Sequence, residues 1–333
     1  MFKTLLRTYN IYIALFLLLI SKANSYAAII DTPAFHRDTI DKIKATKRIL
    51  NRDFNSIYQQ NLRASFFGRE YFQPQKTQLD ADIVANFVVF NTPKSRFFFN
   101  AFTRIKIRLL ATRDAPVKSP SYMPGGALYS RVNNDPFKPK FLSLGYTHHS
   151  NGVRGPTLLP DGSFNVDSGK FSTNFYTLNY TMGRRTDRID RIINRYTTLG
   201  IELHSGLLGK GVAEGLTGRY GFVRINGTYL YNLEKRDPDP IKTDSWVFNN
   251  WQRIQFDFTY IADKYNDYNA FNLKKRLNVS LKYYYHLPFL KDVSVMAGGG
   301  YRGQDDYNFS FQQSYGYVTL GLSSGLSFII NGN

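Results

Sequence analysis

The stretch "LNVSLKYYYHL", Leu277 to Leu287, decides the fold. Read with a period of two, Leu277, Val279, Leu281, Tyr283, Tyr285 and Leu287 share one side, and Asn278, Ser280, Lys282, Tyr284 and His286 the other. Successive side chains of a strand point to opposite faces, so this is a strand with one face apolar along its whole length. The alternation returns at Ile105, Ile107 and Leu109, at Leu199, Ile201 and Leu203, at Ile254, Phe256, Phe258 and Tyr260, and at Val318, Leu320, Leu322, Leu326 and Phe328. Several of these segments run to about ten residues or more, the length a tilted strand needs to cross a bilayer. Strands of a soluble sandwich are usually about five or six residues long. The apolar face is therefore expected toward lipid and the charged face toward an interior.

Twelve such segments can be counted: 64–73, 83–92, 96–111, 122–132, 137–150, 170–182, 196–207, 218–231, 247–263, 275–287, 291–302 and 315–330. Single-chain bacterial barrels have an even number of strands. The expected fold is all-β, a twelve-stranded antiparallel transmembrane β-barrel of the bacterial outer membrane. Turn chemistry at "NTPKS" (91–95), "NNDP" (133–136) and "PFLKD" (288–292) falls on one side. This leaves 151–169 on the opposite, outer side. "GRRTDRIDRIINR" (183–195) and "NLEKRDPDPIKTDSW" (232–246) read as long connections for the inner side.

Residues 1–27 combine Lys3 and Arg7, the apolar run "IYIALFLLLI" and small residues near Ala27, the pattern of a secretory signal peptide. Residues 28–60 read as a polar periplasmic arm and 61–333 as the barrel domain. The 333 residues contain no cysteine, which excludes disulfides and thiolate metal ligation. The formal charge of +18 comes without a nucleic-acid-binding motif, so no nucleic acid partner is expected. A basic exported protein suits phosphate-bearing lipids instead.

"GYTHHSNG" (145–152) holds two of the five histidines. Leu142, Leu144, Tyr146, His148 and Ser150 lie in phase on the apolar face. Residues two apart on a strand are about 6.5–7 Å apart and point the same way. An imidazole can then reach the hydroxyl as base and nucleophile do in hydrolytic triads. On the next strand Asn174, Tyr176, Leu178 and Tyr180 are in phase, so Asn174 can accept the Nδ1 proton of His148. His149, His204 and His286 alternate inward and read as interior histidines, the last two hydrogen-bonded. "GGGYRG" (298–303) lacks the strand-to-helix unit of a phosphate loop.

At these residues the chain resembles the outer membrane phospholipase A family. "GYTHHSNG" matches its Gly-Tyr-x-His-x-Ser-Asn-Gly signature, and "FSTNFYT" (171–177) is similar to its strand bearing an asparagine. "LTGRYGFVRING" (216–227) and "GQDDYNFSFQQSYGYVTLGL" (303–322) are similar to further family strands, and the resemblance spans most of 80–330. It implies an outer membrane barrel of a Gram-negative bacterium that hydrolyses acyl esters of phospholipids and lysophospholipids (A1 and A2 action), calcium-dependent and active as a homodimer. By motif position His148 would be the general base, Ser150 the nucleophile and Asn174 the group orienting His148. The Gly152 backbone N–H would bind the oxyanion, and the Val153 carbonyl and Ser168, or Ser172 in its place, would be calcium ligands. Departures accompany the match: Lys170 stands where the family spacing puts a calcium-binding serine, His149 replaces an aspartate, and Gly155 falls near an acidic position. Against the enzyme stand a porin-like channel, suggested by Arg104, Lys106, Arg108, Arg224 and Lys282, and a catalytically inactive structural barrel.

Overall fold

A computed structural model describes residues 63–331, apart from 90–95, 113, 115, 136, 205–214, 236–244, 291, 305–312 and 326. The expected signal peptide and arm lie outside the described residues. The strands are β1 (Ser65–Tyr71), β2 (Thr77–Val89), β3 (Phe97–Leu110), β4 (Val117–Arg131), β5 (Lys140–Ser150), β6 (Ser172–Asp187), β7 (Arg191–His204), β8 (Val223–Lys235), β9 (Ser245–Ile261), β10 (Leu277–His286), β11 (Val293–Arg302), β12 (Tyr315–Ser324) and β13 (Ser327–Asn331). A single helical turn, α1 (Leu273–Arg276), precedes β10. Each of β1 to β12 pairs antiparallel with its neighbours, and β12 pairs back onto β1 from Ser65↔Ser324 to Tyr71↔Val318. The sheet is a closed twelve-stranded antiparallel barrel.

Two expectations are corrected. The segment 315–330 is not one strand: Gly325 adopts φ +91, and its N–H donates to the Asp292 carboxylate at 3.1 Å. This left-handed residue turns the chain, and β13 then pairs with Ser245–Asn249 of β9. The basic stretch 183–195 is not a long turn. β6 and β7 extend through it, leaving only Arg188–Asp190 as the connection.

The pleat sorts side chains as the alternation requires. Leu281 and Leu322 face outward and are 55% and 51% exposed, whereas inward-facing Asn232 and Arg253 are 0% and 1% exposed. A folded chain that buries arginine and exposes leucine in continuous stripes is suited to an apolar surround. The interior is filled rather than open. Arg104 Nε donates to Asp82 at 2.6 Å, Arg302 to Glu70 at 2.8 Å, and Arg253 Nε to Asn232 at 2.9 Å. Lys282 lies 3.6 Å from Asp257, and Arg224 3.7 Å from Glu202. Burying these cations alone would cost several kcal/mol each, which carboxylate and amide partners offset. Four of the five basic residues behind the channel reading (Arg104, Arg108, Arg224 and Lys282) are thus part of a packed network, and Lys106 is buried as well.

Apolar clusters finish the barrel at both ends. Phe98, Phe141, Tyr196 and Leu230 form one. At the other end Phe164 and Phe171 pack on Leu216 and Tyr220, joining the β5–β6 loop to the chain that leads into β8.

Closure depends on two glycines. Gly68 and Gly321 face each other across the β1–β12 pairing, and a Cβ on Gly321 would run into the Phe67 carbonyl and come within 2.6 Å of the Gly68 Cα. The Phe66 ring occupies the space they vacate, 2.7 Å from that same Cβ position. Gly321→Val should destabilise the barrel by about 1–3 kcal/mol, the usual cost of overpacking. The check is the folded fraction seen by heat-modifiable gel migration and the urea midpoint, with Leu320→Val on the exposed face of the same seam as the control expected to stay near wild type.

Candidate active site

β5 and β6 pair without interruption from Lys140↔Met182 to Ser150↔Ser172, so His148 lies directly opposite Asn174. Directly opposed residues bring their Cβ atoms to about 4.5–5.5 Å. At that range His148 Nδ1 donates to Asn174 Oδ1 at 2.7 Å. The Tyr146 hydroxyl donates to the same oxygen at 3.1 Å, which fixes the amide with its carbonyl toward the imidazole. Asn174 is buried beneath these two rings although its strand position faces outward. With Nδ1 as the proton-bearing nitrogen, Nε2 is left as the basic one.

Ser150 follows on the same face, half-buried, opposite Tyr122 of β4 and Ser172 of β6. The structure brings His148, Ser150 and Asn174 to one patch on the outer wall, at the end of β5. His148 Nε2 and Ser150 Oγ have no hydrogen-bond partner among the described residues. Their spacing is that of i and i+2 on a strand, about 6.5–7 Å between Cα atoms, within reach of side-chain rotation.

The loop from Asn151 to Phe171 is pinned at its base. Asn151 is buried; its N–H donates to the Phe171 carbonyl at 3.1 Å, its Nδ2 to the Gly169 carbonyl at 2.8 Å, and its Oδ1 accepts from the Phe171 N–H at 2.9 Å. These bonds carry the β5–β6 register one residue past Ser150. Gly152 then turns the chain with φ +70, and a Cβ there would lie 3.2 Å from the Tyr122 ring. A left-handed residue beside an aromatic ring favours glycine. Gly152 is exposed, and its N–H has no acceptor among the described residues.

Val153 and Ser168 sit on limbs of the loop that run side by side, joined by the Gly155↔Gly169 bridge and by Lys170 N–H donating to the Gly155 carbonyl at 2.9 Å. The Ser168 hydroxyl is turned into the loop, donating to Asn165 Oδ1 at 3.3 Å and accepting from Asn165 Nδ2 at 3.0 Å. Asp161 accepts from the Ser163 N–H and hydroxyl at 2.9 and 2.6 Å, and these bonds hold its carboxyl below the usual range. Among the described residues no cluster of three or more His, Asp or Glu could hold a metal. A calcium ion favours six to eight oxygens, usually with carboxylates. One engaged hydroxyl, backbone carbonyls and the neighbouring Lys170 cation do not make that donor set.

Tyr146 and Asn151 are contributors that the sequence reading left without a role. The phase of Tyr146 with His148 and Ser150 was the available signal for the first; the loop fold behind Asn151 left none. His149 faces inward opposite Thr173. His204 is buried and bonded to Thr173 at 3.0 Å and to Glu202 at 2.6 Å, as an interior histidine should be. His286 differs: its Nδ1 has no partner among the described residues.

No family model matches the chain, and no curated protein matches it. Among solved structures, the outer membrane phospholipase A from Escherichia coli superposes at a TM-score of 0.46 and 10% identity, over 78% of this chain and 88% of that one. The Salmonella typhi outer membrane phospholipase dimer with bound calcium superposes at a TM-score of 0.47 and 10% identity, over 78% of this chain and 89% of that one.

Proposed function

We propose that this protein is an outer membrane phospholipase that cleaves acyl esters of phospholipids and lysophospholipids, with A1 and A2 action, at His148, Ser150 and Asn174 on the lipid-facing wall. The observation that carries the reading is the 2.7 Å bond from His148 Nδ1 to Asn174 Oδ1, with Ser150 two residues along the same face. A polar cluster at the outer end of a predominantly apolar wall costs free energy, and ester chemistry at the bilayer surface accounts for its being there.

In this reading Ser150 Oγ attacks the ester carbonyl while His148 Nε2 takes its proton. The collapsing intermediate expels the glycerol oxygen, which receives that proton from His148 and leaves an acyl-serine. Water, deprotonated by the same imidazole, releases the fatty acid. Asn174 holds the tautomer without placing a carboxylate at a membrane boundary. The exposed Gly152 N–H is the oxyanion donor. No step is assigned to calcium. The remaining assignments are a Gram-negative outer membrane location reached through a signal peptide, and a homodimer formed through the apolar wall.

Ser150→Ala should lower fatty acid release from micellar phospholipid by at least about a thousand-fold while leaving heat-modifiable migration unchanged. Wild-type activity in that variant would sink the reading. The same assay run with calcium and with EDTA tests whether a dication is needed: release unaffected by EDTA is the outcome the donor set implies.

Asn174→Ala should lower kcat by about 10- to 100-fold, within the range a positioned base contributes. In 15N-labelled protein the His148 ring should shift from the Nδ1–H tautomer to a mixture. Unchanged ring nitrogen shifts in the variant would show that Asn174 does not orient the imidazole.

A further inference from the structure

Arg184 of β6 and Arg195 of β7 are directly paired across the sheet. Both are exposed and lie in phase with outward-facing Met182 and Leu199, so two guanidiniums stand side by side on the lipid-facing wall. Like charges directly opposite each other are destabilising unless something neutralises them. Arg184 has no hydrogen bond or ion pair among the described residues, and Arg195 lies over the Tyr231 ring at 5.6 Å. Lys140 of β5 is exposed and paired with Met182, which puts it diagonal to Arg184. The nearby carboxylates are engaged elsewhere: Asp187 accepts from Arg185 at 2.7 Å and Asp190 from Arg191 at 2.6 Å.

Depth decides what the pair meets. Arg184 is ten residues along β6 from Asn174, which lies at the outer end. Ten strand residues span about 33 Å, or about 25 Å along the axis of a barrel whose strands tilt by about 40°. The apolar band of such barrels is about 25 Å tall. The pair therefore sits at headgroup level of the opposite, inner leaflet. Arginine forks bind phosphate oxygens bidentately, and Tyr231 supplies the amphipathic ring common at such interfaces.

We infer that Arg184, Arg195, Lys140 and Tyr231 form a binding site for the phosphate of an anionic phospholipid in the inner leaflet. Three cations without a free carboxylate select a headgroup carrying net negative charge, because a zwitterionic headgroup brings an ammonium that has no partner here. The site is at the opposite end of β6 from His148 and Asn174 and does not depend on ester hydrolysis.

The test uses the folded full chain in zwitterionic micelles with ether-linked phosphatidylglycerol, whose linkages an acyl hydrolase cannot cleave. Native mass spectrometry should show at least one tightly retained anionic lipid in wild type, and at least ten-fold weaker retention in the Arg184→Gln/Arg195→Gln double variant. Arg184→Lys/Arg195→Lys, which keeps charge but loses the forks, should retain the lipid to an intermediate degree, and gel migration certifies that each variant is folded. Equal retention by wild type and the Gln variant, or equal retention of ether-linked phosphatidylcholine, overturns the inference. Displacement of the lipid by millimolar inorganic phosphate overturns the lipid assignment in favour of a soluble anion.

Discussion

The pairing of β12 with β1 is the constraint on which the rest of the molecule depends. Seven residues of the first strand meet seven of the last, and without them the sheet has two open edges, each with unpaired N–H and C=O groups. In an apolar surround every such group costs several kcal/mol, so only a closed ring of strands is stable there. Closure also defines an inside and an outside. Once the ring exists, the pleat alone assigns each side chain to the packed polar interior or the apolar wall, and a slip of one residue would exchange the two sets. Two facing glycines at the seam, with a phenylalanine ring filling the room they leave, are the local chemistry of that closure.

The interior is bound by long-range side-chain bonds as well as by the ladders. Glu70 of β1 receives Arg302 of β11, 232 residues away, and Arg108 of β3 is 3.4 Å from the same carboxylate. Arg276 fixes the β9–β10 connection, its guanidinium donating to the carbonyls of Ile261, Asp263, Tyr268 and Asn269 at 2.6–3.0 Å. Such contacts offset the cost of burying a cation such as Arg276.

Much of this was legible in the chain before the fold was in hand. Alternation is a local signal, so all twelve barrel strands could be found from the spacing of Leu, Ile, Val and Tyr, and His148, Ser150 and Asn174 could be placed on one face. Strand ends were less legible. β6 and β7 run on through Arg184–Arg195 because ladder hydrogen bonds continue beneath charged side chains, and charge density had suggested a turn. The break at Gly325 depends on Asp292, 33 residues earlier, which no local pattern reveals. The loop from Asn151 to Phe171 was least legible, since Asn151 and Asn165 act on backbone groups whose positions exist only after folding. Ser168 was assigned to calcium by resemblance alone, and the hydrogen bonds of its hydroxyl to Asn165 depend on a loop conformation that no local pattern reveals.

His148 and Asn174 are 26 residues apart and meet only across the β5–β6 hairpin, at its looped end. The start of β1 and the end of β12 both lie at the other end of the barrel, with the Arg188–Asp190 turn. In a chain inserted from that other end, the Asn151–Phe171 loop has to traverse the bilayer before the hairpin can adopt its final register. On the proposed function, a chain in which the β5–β6 hairpin has not yet formed carries these residues without their juxtaposition, and so has no competent site.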